Sequence, residues 1–399
     1  MWYNTEKGKG RCICLTLYLE GRIDSANASE VEASLLRQIG GEKPETLMLD
    51  AEALEYISSA GLRVILRLKK AHPSLSLVNV SSAVYEIFDM TGFTEMMPVK
   101  KAYRAVSVEG CEVIGEGFNG KVYRIDQDNV VKVYKRADAL EAIQHEREVA
   151  RLALVLGVPT AISYDVVRVG DHYGSVFELL NARSFAKILA KEPEKLDWCV
   201  RENMALLKKV HSIRVPEGKL PSGRETLLDA ARQIRGVLPE ALGEKLIRLI
   251  EAVPESDHML HGDFHSKNIE LSGDEVLLID MDTLCVGDPI FELGQMYNSY
   301  VGFSELDIDQ FRRFQGYEPK IGRAFWKQSL QQYLGLDDDE LLRAAEEKIR
   351  VIAYTLLISW APSPEEASEK DRAELALWTR ELIELLERVD SLSLAEYLQ

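Results

Sequence analysis

The sequence has few cysteines and no long apolar run, and each shortage excludes a class of protein. Five cysteines occur among 399 residues, and they lack the paired spacing of a metal site. Cys12 and Cys14 lie in an apolar, strand-like stretch, where we interpret them as buried small hydrophobic residues. The most apolar helical stretch, residues 349–361, is shorter than the ~20 residues that cross a bilayer. We therefore expect a cytoplasmic protein in a reducing setting, without membrane insertion and without a secretory signal at residues 1–10.

Positive charge is also scarce relative to negative charge. The chain carries 48 lysine and arginine residues against 65 aspartate and glutamate residues, a net charge of −17. Residues 1–107 hold 13 residues of each sign, so the excess belongs to the remainder of the chain. Such a field disfavours nucleic acid as a partner and would attract a cationic small molecule, although an acidic surface also serves solubility.

Strand and helix patterns alternate through the first hundred residues. Apolar, β-prone stretches are separated by stretches whose apolar residues recur at helical spacing. The strand-like stretches are 12–20, 46–50, 75–80 and 97–99, and the helical ones are 25–39, 60–71 and 82–90. This alternation predicts a small α/β domain over residues 1–104.

Five separated motifs in this part resemble the STAS domain of anti-sigma-factor antagonists. They lie at residues 19–24, 49–50, 56–62, 78–81 and 91–93. The resemblance implies a protein partner and a phosphorylation switch at Ser59, at the start of a helix, where the helix dipole favours an added phosphate. The residue before it is Ser58, where the family usually has an aspartate. In the other interpretation, Ser58 and Ser59 only cap the helix.

The second part of the chain opens with a glycine-rich segment between two strand patterns. Gly115, Gly117 and Gly120 lie between apolar stretches at 111–114 and 121–125. Glycine permits the backbone conformations of a tight hairpin, and such a hairpin can bring backbone amides close over nucleotide phosphates. A plain hairpin turn is the other interpretation.

A lysine stands among apolar residues in the next strand pattern, 129–134. This residue, Lys132, precedes a helical stretch at 141–156 that contains Glu146 and Glu148. Lysine is rarely buried without a partner, so the helix is expected to supply a carboxylate.

The most specific motif is a polar loop followed by an apolar strand. The loop reads His261-Gly262-Asp263-Phe264-His265-Ser266-Lys267-Asn268, and the strand ends at Asp280. Phosphoryl transfer needs an aspartate that orients the acceptor hydroxyl, which Asp263 fits, and oxygen ligands for magnesium, which Asn268 and Asp280 can supply. The order of these elements resembles aminoglycoside, choline and homoserine kinases. Protein kinases usually carry an arginine where this chain has Gly262.

The resemblance implies roles for residues outside the loop. Lys132 would hold the α- and β-phosphates of a nucleotide, and Glu148 is the favoured carboxylate partner of that lysine, with Glu146 as the alternative. The segment after strand pattern 172–180 would bind the nucleobase through its backbone, which singles out Glu178 and Leu180 by position alone.

Three further residues belong to the surroundings of the loop. The resemblance implies that Asp288 braces the catalytic loop and that His261 orients it by hydrogen bonding. Asp282 either faces a second metal ion or is solvated.

The expected fold class is α/β plus α+β. A STAS-type domain at 1–104 would precede a bilobal, protein-kinase-like domain at 108–399, with a β-rich N-lobe at 108–181 and a helical C-lobe at 182–399. The predicted function is an ATP- and Mg²⁺-dependent phosphotransferase that acts on a hydroxyl group of a small molecule, with GTP left open. Two alternatives stay open: a signalling kinase that phosphorylates Ser58 or Ser59, and a nucleotide-binding interaction protein without catalysis.

Overall fold

The computed structural model describes residues 14–40, 44–117, 120–305, 307–363 and 366–397. Cys12 and the two residues between Gly117 and Gly120 lie outside these ranges. The chain divides into two compact units, one of residues 1–109 with 166–174 and the other of residues 110–165 with 175–399. In the described ranges, no helix is both long and apolar enough to span a membrane.

The first unit contains a sheet of four parallel strands, β1 (Cys14–Ile23), β2 (Thr46–Ile57), β3 (Ser76–Val80) and β4 (Val99–Lys101), which lie in that order. Parallel neighbours need crossover connections, and helices supply them at each step. The elements in chain order are β1 (Cys14–Ile23), α1 (Ala28–Ile39), β2 (Thr46–Ile57), α2 (Ser59–Ala71), β3 (Ser76–Val80), α3 (Ser82–Met90), α4 (Phe93–Met96), β4 (Val99–Lys101) and β5 (Arg104–Ala105). The predicted α/β domain is confirmed.

Side-chain alternation in β1 corrects one sequence interpretation. Leu17 and Leu19 are buried, whereas Cys14 and Tyr18 are exposed. Successive side chains of a strand point to opposite faces, so the odd-numbered residues of β1 face the core and Cys14 faces away from it. The interpretation of Cys14 as a buried residue is therefore wrong.

Helix α2 begins at the serine pair of the STAS-like motif. Ser58 is its N-cap, and its hydroxyl accepts a hydrogen bond from the Ala60 amide at 3.2 Å. Ser59 is the first helical residue and its side chain is exposed. Because Ser58 performs the capping, the Ser59 hydroxyl is left pointing into solvent.

The second unit opens with an antiparallel meander. Strands β6 (Glu112–Glu116), β7 (Gly120–Arg124) and β8 (Asn129–Tyr134) pair in sequence order, and β10 (His172–Glu178) lies next to β8. In the first unit, β5 pairs in parallel with β9 (Asp165–Val169). The elements of residues 110–184, in chain order, are β6 (Glu112–Glu116), β7 (Gly120–Arg124), β8 (Asn129–Tyr134), α5 (Leu140–Val155), β9 (Asp165–Val169), β10 (His172–Glu178) and β11 (Ala182–Ser184).

The rest of the second unit is mainly helical and surrounds one large apolar core. Its elements are α6 (Phe185–Lys191), α7 (Leu196–Ser212), α8 (Gly223–Ile234), α9 (Glu240–Glu251), β12 (Met259–Leu260), β13 (Ile269–Ser272), β14 (Glu275–Leu278), β15 (Cys285–Val286), α10 (Pro289–Tyr300), α11 (Ile308–Gln315), α12 (Pro319–Leu334), α13 (Asp339–Ser359) and α14 (Glu369–Arg388). The expectation of a β-rich lobe followed by a helical lobe is confirmed.

Two short sheets fix the polar loop of the sequence motif. Strand β12 enters the loop and pairs with β15, so both ends of the segment 261–284 are joined. Strand β13 leaves the loop and pairs with β14 and with β11. Residues 261–268 are therefore held between paired strands on both sides.

Candidate active site

Lys132 of β8 contacts one carboxylate of helix α5 and a second carboxylate shortly after the end of β14. Its Nζ lies 3.0 Å from Glu146 Oε1 and 2.9 Å from Asp280 Oδ1. Burial opposes the lysine charge, but the carboxylates of Asp280 and Glu146 outweigh it and hold the pKa of Lys132 above its ordinary value. The lysine is therefore a fixed positive charge at neutral pH.

The partner of Lys132 on helix α5 differs from the one that the sequence favoured. Glu146 receives hydrogen bonds from Lys132 and, at 2.6 Å, from the Tyr134 hydroxyl. Glu148 is exposed, so the choice of Glu148 is wrong. Two residues turn a helix by roughly 200°, and α5 packs with the side of Ile143 and Ala150 inward, which is the side of Glu146.

Glu146→Gln should lower the free energy of unfolding by about 2 kcal/mol, because the half-buried Lys132 would lose a charge-assisted hydrogen bond. Urea denaturation of the full chain measures this change. Glu148→Gln, an equivalent change on the exposed side of α5, is the control and should leave stability unaltered. Equal effects of the two substitutions would contradict the assignment of Glu146.

The carboxylate of Asp263 is held by the loop that contains it. Asp263 Oδ1 accepts from His265 Nε2 at 3.3 Å, and Oδ2 accepts from Asn268 Nδ2 at 3.1 Å. The Nδ1 atom of His265 accepts from the Lys267 amide, so the proton of the neutral ring resides on Nε2. Burial raises the pKa of Asp263, but the hydrogen bonds from His265 and Asn268 and the proximity of the His261 ring lower it by more, so the net direction is downward.

The Asp263 side chain is 43% exposed, although its loop is otherwise buried at most positions. An ionised carboxylate with fixed orientation and open access is suited to receive a proton from a bound hydroxyl group.

His261 and Gly262 dock the start of the loop onto the segment that follows β14. His261 accepts from the Asp263 amide at 3.3 Å through Nδ1, and its Nε2 donates to the Ile279 carbonyl at 3.1 Å. Gly262 has φ +79°, and a Cβ atom there would lie 2.3 Å from the Thr283 carbonyl oxygen. Only glycine fits this approach. The geometry agrees with the predicted orienting role of His261.

Glu292, which the sequence patterns do not single out, holds the same loop in place. Glu292 of α10 accepts from the His261 amide at 2.6 Å and from the Gly262 amide at 2.8 Å. It also faces His211 Nε2 at 3.4 Å, while Nδ1 of that histidine lies 2.7 Å from the Tyr333 hydroxyl. Burial raises the pKa of Glu292, but the hydrogen bond and charge of His211, together with the loop contacts, bring it below its ordinary value.

Asp288 was expected to brace the catalytic loop, and that prediction is wrong. Asp288 is the N-cap of α10, and its carboxylate accepts from the Ile290 amide at 3.0 Å. Helix capping uses the side chain locally, whereas Glu292, one turn further on, points at the loop. A glutamate inside the apolar run 290–293 is a usable sequence signal, because an acidic residue is rarely buried there without partners.

Asn268 and Asp280 lie side by side at the end of the hairpin of β13 and β14. The Ile279 amide donates to the Asn268 carbonyl at 2.9 Å. Asp280 has φ +67°, an uncommon conformation for a residue with a side chain, which is found at functional sites. The Nδ2 atom of Asn268 bonds Asp263 and Asp280 Oδ1 bonds Lys132, so the remaining side-chain oxygens are Asn268 Oδ1 and Asp280 Oδ2.

Asp282 is half-buried near these carboxylates. Burial, followed by the negative charges of Asp280 and Glu146, raises the pKa of Asp282 above its ordinary value. Within the described ranges, no three His, Cys, Asp or Glu side chains cluster in the manner of a metal site. Both interpretations of Asp282 stay open.

The glycine-rich segment forms the hairpin between β6 and β7. Its tip is closed by a hydrogen bond from the Gly117 amide to the Gly120 carbonyl at 2.9 Å, and Lys135 donates to the Gly117 carbonyl at 3.0 Å. A Cβ atom on Gly120 would lie 2.3 Å from the Val133 carbonyl oxygen, while Gly115 packs on Val122. The hairpin is confirmed as structure, and its role toward phosphates stays a prediction.

The segment that follows β10 leads directly into β11. Glu178 ends β10 and is exposed, and Leu180 is half-buried. Between them, the Leu179 amide donates to the Asp128 carbonyl at 2.6 Å. The assignment of Glu178 and Leu180 to nucleobase binding stays a prediction.

Two family matches cover most of the described chain. Residues 110–328 match the phosphotransferase enzyme family, and residues 6–106 match the STAS domain. BtrV of Bordetella bronchiseptica, which bears the name of an anti-sigma factor antagonist, is 38% identical over 94 residues, 22% of this chain and 79% of that protein.

Solved structures of aminoglycoside phosphotransferases are similar at low identity. ADP-bound APH(2'')-Ib is 15% identical, with a TM-score of 0.48 over 75% of this chain and 98% of that one. A thermostable mutant of APH(4)-Ia in a ternary complex with ADP and hygromycin B is 12% identical, with a TM-score of 0.48 over 69% of this chain and 93% of that one.

Proposed function

The chain belongs to the phosphotransferase enzyme family and carries a STAS domain, and from this premise we propose that it transfers the γ-phosphoryl group of ATP to a hydroxyl group of a small molecule. One observation carries the proposal. The Nζ atom of Lys132 lies 2.9 Å from Asp280 Oδ1, so the lysine of the sheet contacts the segment 261–284, which also carries Asp263 and Asn268, and phosphoryl transfer needs these groups together.

Lys132 would orient the α- and β-phosphates, and Glu146 would keep the lysine in place. Magnesium prefers oxygen ligands and takes only one or two carboxylates from a protein, with phosphate and water for the rest. The open oxygens of Asn268 and Asp280 fit this preference, and bound Mg²⁺ would neutralise charge on the phosphates.

Asp263 would orient the acceptor hydroxyl and take its proton as the new oxygen–phosphorus bond forms and the nucleoside diphosphate leaves. The hydrogen bonds from His265 and Asn268 keep the carboxylate ionised and fix its rotamer. Pre-set orientation of this kind lowers the entropic part of the barrier.

The acceptor is proposed to be a small, cationic alcohol, because the net charge of −17 resides outside the first 107 residues and would favour a positive substrate. Two of the similar structures hold hygromycin B or streptomycin, which places amino-sugar alcohols first in a trial series.

A panel of alcohols tests the proposal. Purified full-length protein is incubated with Mg²⁺ and ATP or GTP, and nucleoside diphosphate release is measured with aminoglycosides, choline, neutral sugars and hydroxy acids. We expect a cationic alcohol to raise the rate well above that of hydrolysis by water. Stimulation by anionic alcohols alone would refute the charge preference, and binding of nucleotide without any turnover would favour a non-catalytic interaction protein.

A second candidate function is a signalling kinase that phosphorylates Ser59 of this chain or of another STAS domain. The exposed Ser59 hydroxyl at the first position of α2 favours it. This candidate predicts phosphate on Ser59 after incubation with ATP and Mg²⁺, detected by peptide mass spectrometry, and none on Ser82, the equally exposed first residue of α3. An unmodified Ser59, or equal labelling of Ser82, rules this candidate out.

A further inference from the structure

Glu270 shares a sheet face with Asn268. Side chains alternate between the two faces of a strand, and in β13 the intervening Ile269 is directed into the core, where it is fully buried. Ile269 lies opposite Leu278, and Glu270 lies opposite Leu277. Glu270 therefore points to the side on which Asn268 contacts Asp263, which is the side of the active site.

The same residue also lies close to the segment that follows β10. Strand β11 begins directly after that segment, and Ser184 of β11 is the register partner of Glu270. Glu270 is thus placed between the segment assigned to the nucleobase and the Asn268–Asp280 pair assigned to the phosphates. In a nucleotide, the group between base and phosphates is the ribose.

The Glu270 carboxylate is half-buried, and no described residue forms a hydrogen bond or ion pair with it. Burial raises the pKa of Glu270 to about 7, and the positive charge of Lys187, in the first turn of α6, opposes that rise. A half-buried carboxylate without hydrogen-bond donors is costly unless a ligand supplies them. Phosphate offers no donors, whereas the two vicinal hydroxyl groups of ribose offer a matching pair.

We propose that Glu270 binds the ribose of the nucleotide by accepting hydrogen bonds from its 2′- and 3′-hydroxyl groups. A carboxylate is a suitable acceptor for ribose hydroxyls, and charge-assisted hydrogen bonds are the stronger kind. The inference rests on the proposed function, because it requires that a nucleotide occupies this site. It makes Glu270 a specificity-determining residue that selects ribonucleotides over deoxyribonucleotides.

Isothermal titration of the full-length protein with ADP, 2′-deoxyADP, 3′-deoxyADP and GDP, each with Mg²⁺, tests the inference without any turnover. We expect the wild type to bind each deoxy analogue about tenfold more weakly than ADP, the loss typical of one hydrogen bond to a charged group. In Glu270→Gln, ADP should bind about tenfold more weakly, and the difference between ADP and its deoxy analogues should shrink to about twofold.

Glu275→Gln is the matched control, because Glu275 is an exposed glutamate at the start of β14 in the same hairpin. It should leave all four affinities unchanged. If Glu270→Gln does not fold, as judged by circular dichroism, the analogue series on the wild type decides alone.

Three outcomes would overturn the inference while the proposed function survives. They are equal binding of ADP and its deoxy analogues by the wild type, full retention of the discrimination in Glu270→Gln, and a change confined to the preference between ADP and GDP, which would assign Glu270 to the base. A wild type that binds none of the nucleotides would overturn both.

Discussion

Replacement of Asp263 by asparagine is expected to lower kcat by about 10²–10⁴-fold, the range for loss of a general base. The carboxylate is half-exposed and ionised, and His265 and Asn268 hold both of its oxygens. An asparagine keeps the size of the side chain but cannot take a proton from an acceptor hydroxyl. The measurement is steady-state turnover with Mg²⁺, ATP and the best alcohol of the panel.

Nucleotide affinity should change little in the same variant, because Lys132 and Asp280 are untouched. Asp274→Asn is the control, since Asp274 is an exposed carboxylate of the turn between β13 and β14. A variant at Asp263 that keeps more than a tenth of the wild-type kcat would refute its assignment as the base.

Glu292→Gln is expected to lower the free energy of unfolding by about 3 kcal/mol, because it breaks a buried charged network. Glu292 is 1% exposed and accepts from the amides of His261 and Gly262. A glutamine has only one side-chain oxygen, so its NH2 group would face one of these two backbone N–H groups. Two donors facing each other form no hydrogen bond. The loop would shift, and kcat should fall by about 10²-fold, the size associated with a displacement of about 1 Å at a reacting group.

The destabilisation by Glu292→Gln should depend on pH. The folded-state pKa of Glu292 lies below its ordinary value of 4.5, so the contribution of the ionised side chain is fully present above pH 4.5 and is lost as the pH falls through the folded-state pKa. Thermal unfolding from pH 7 to pH 3 would show the wild type and the variant converging. Glu251→Gln, at the exposed end of α9, is the control. A stability difference between the wild type and Glu292→Gln that stays constant from pH 7 to pH 3 would contradict the role assigned to the ionised Glu292.

Much of the candidate active site is encoded in short stretches of sequence. Asp263 and Asn268 are five residues apart in one loop, and a loop of that length leaves little freedom in how the two side chains meet. Asp280 follows an apolar strand whose partner strand is only a few residues upstream. Such local spacings are set by chain geometry, and the α/β and bilobal folds follow from equally local patterns of alternation.

The sequence does not determine which side of a helix faces which neighbouring element. Two carboxylates of α5 are two residues apart, and only the packing of Ile143 and Ala150 against the core turns Glu146, rather than Glu148, toward Lys132. Glu292 meets His211 across 81 residues of sequence, and no local pattern reports such a contact. The physical reason is the same in both cases: burial of apolar surface decides the rotation and approach of distant helices, and the polar contacts follow from it.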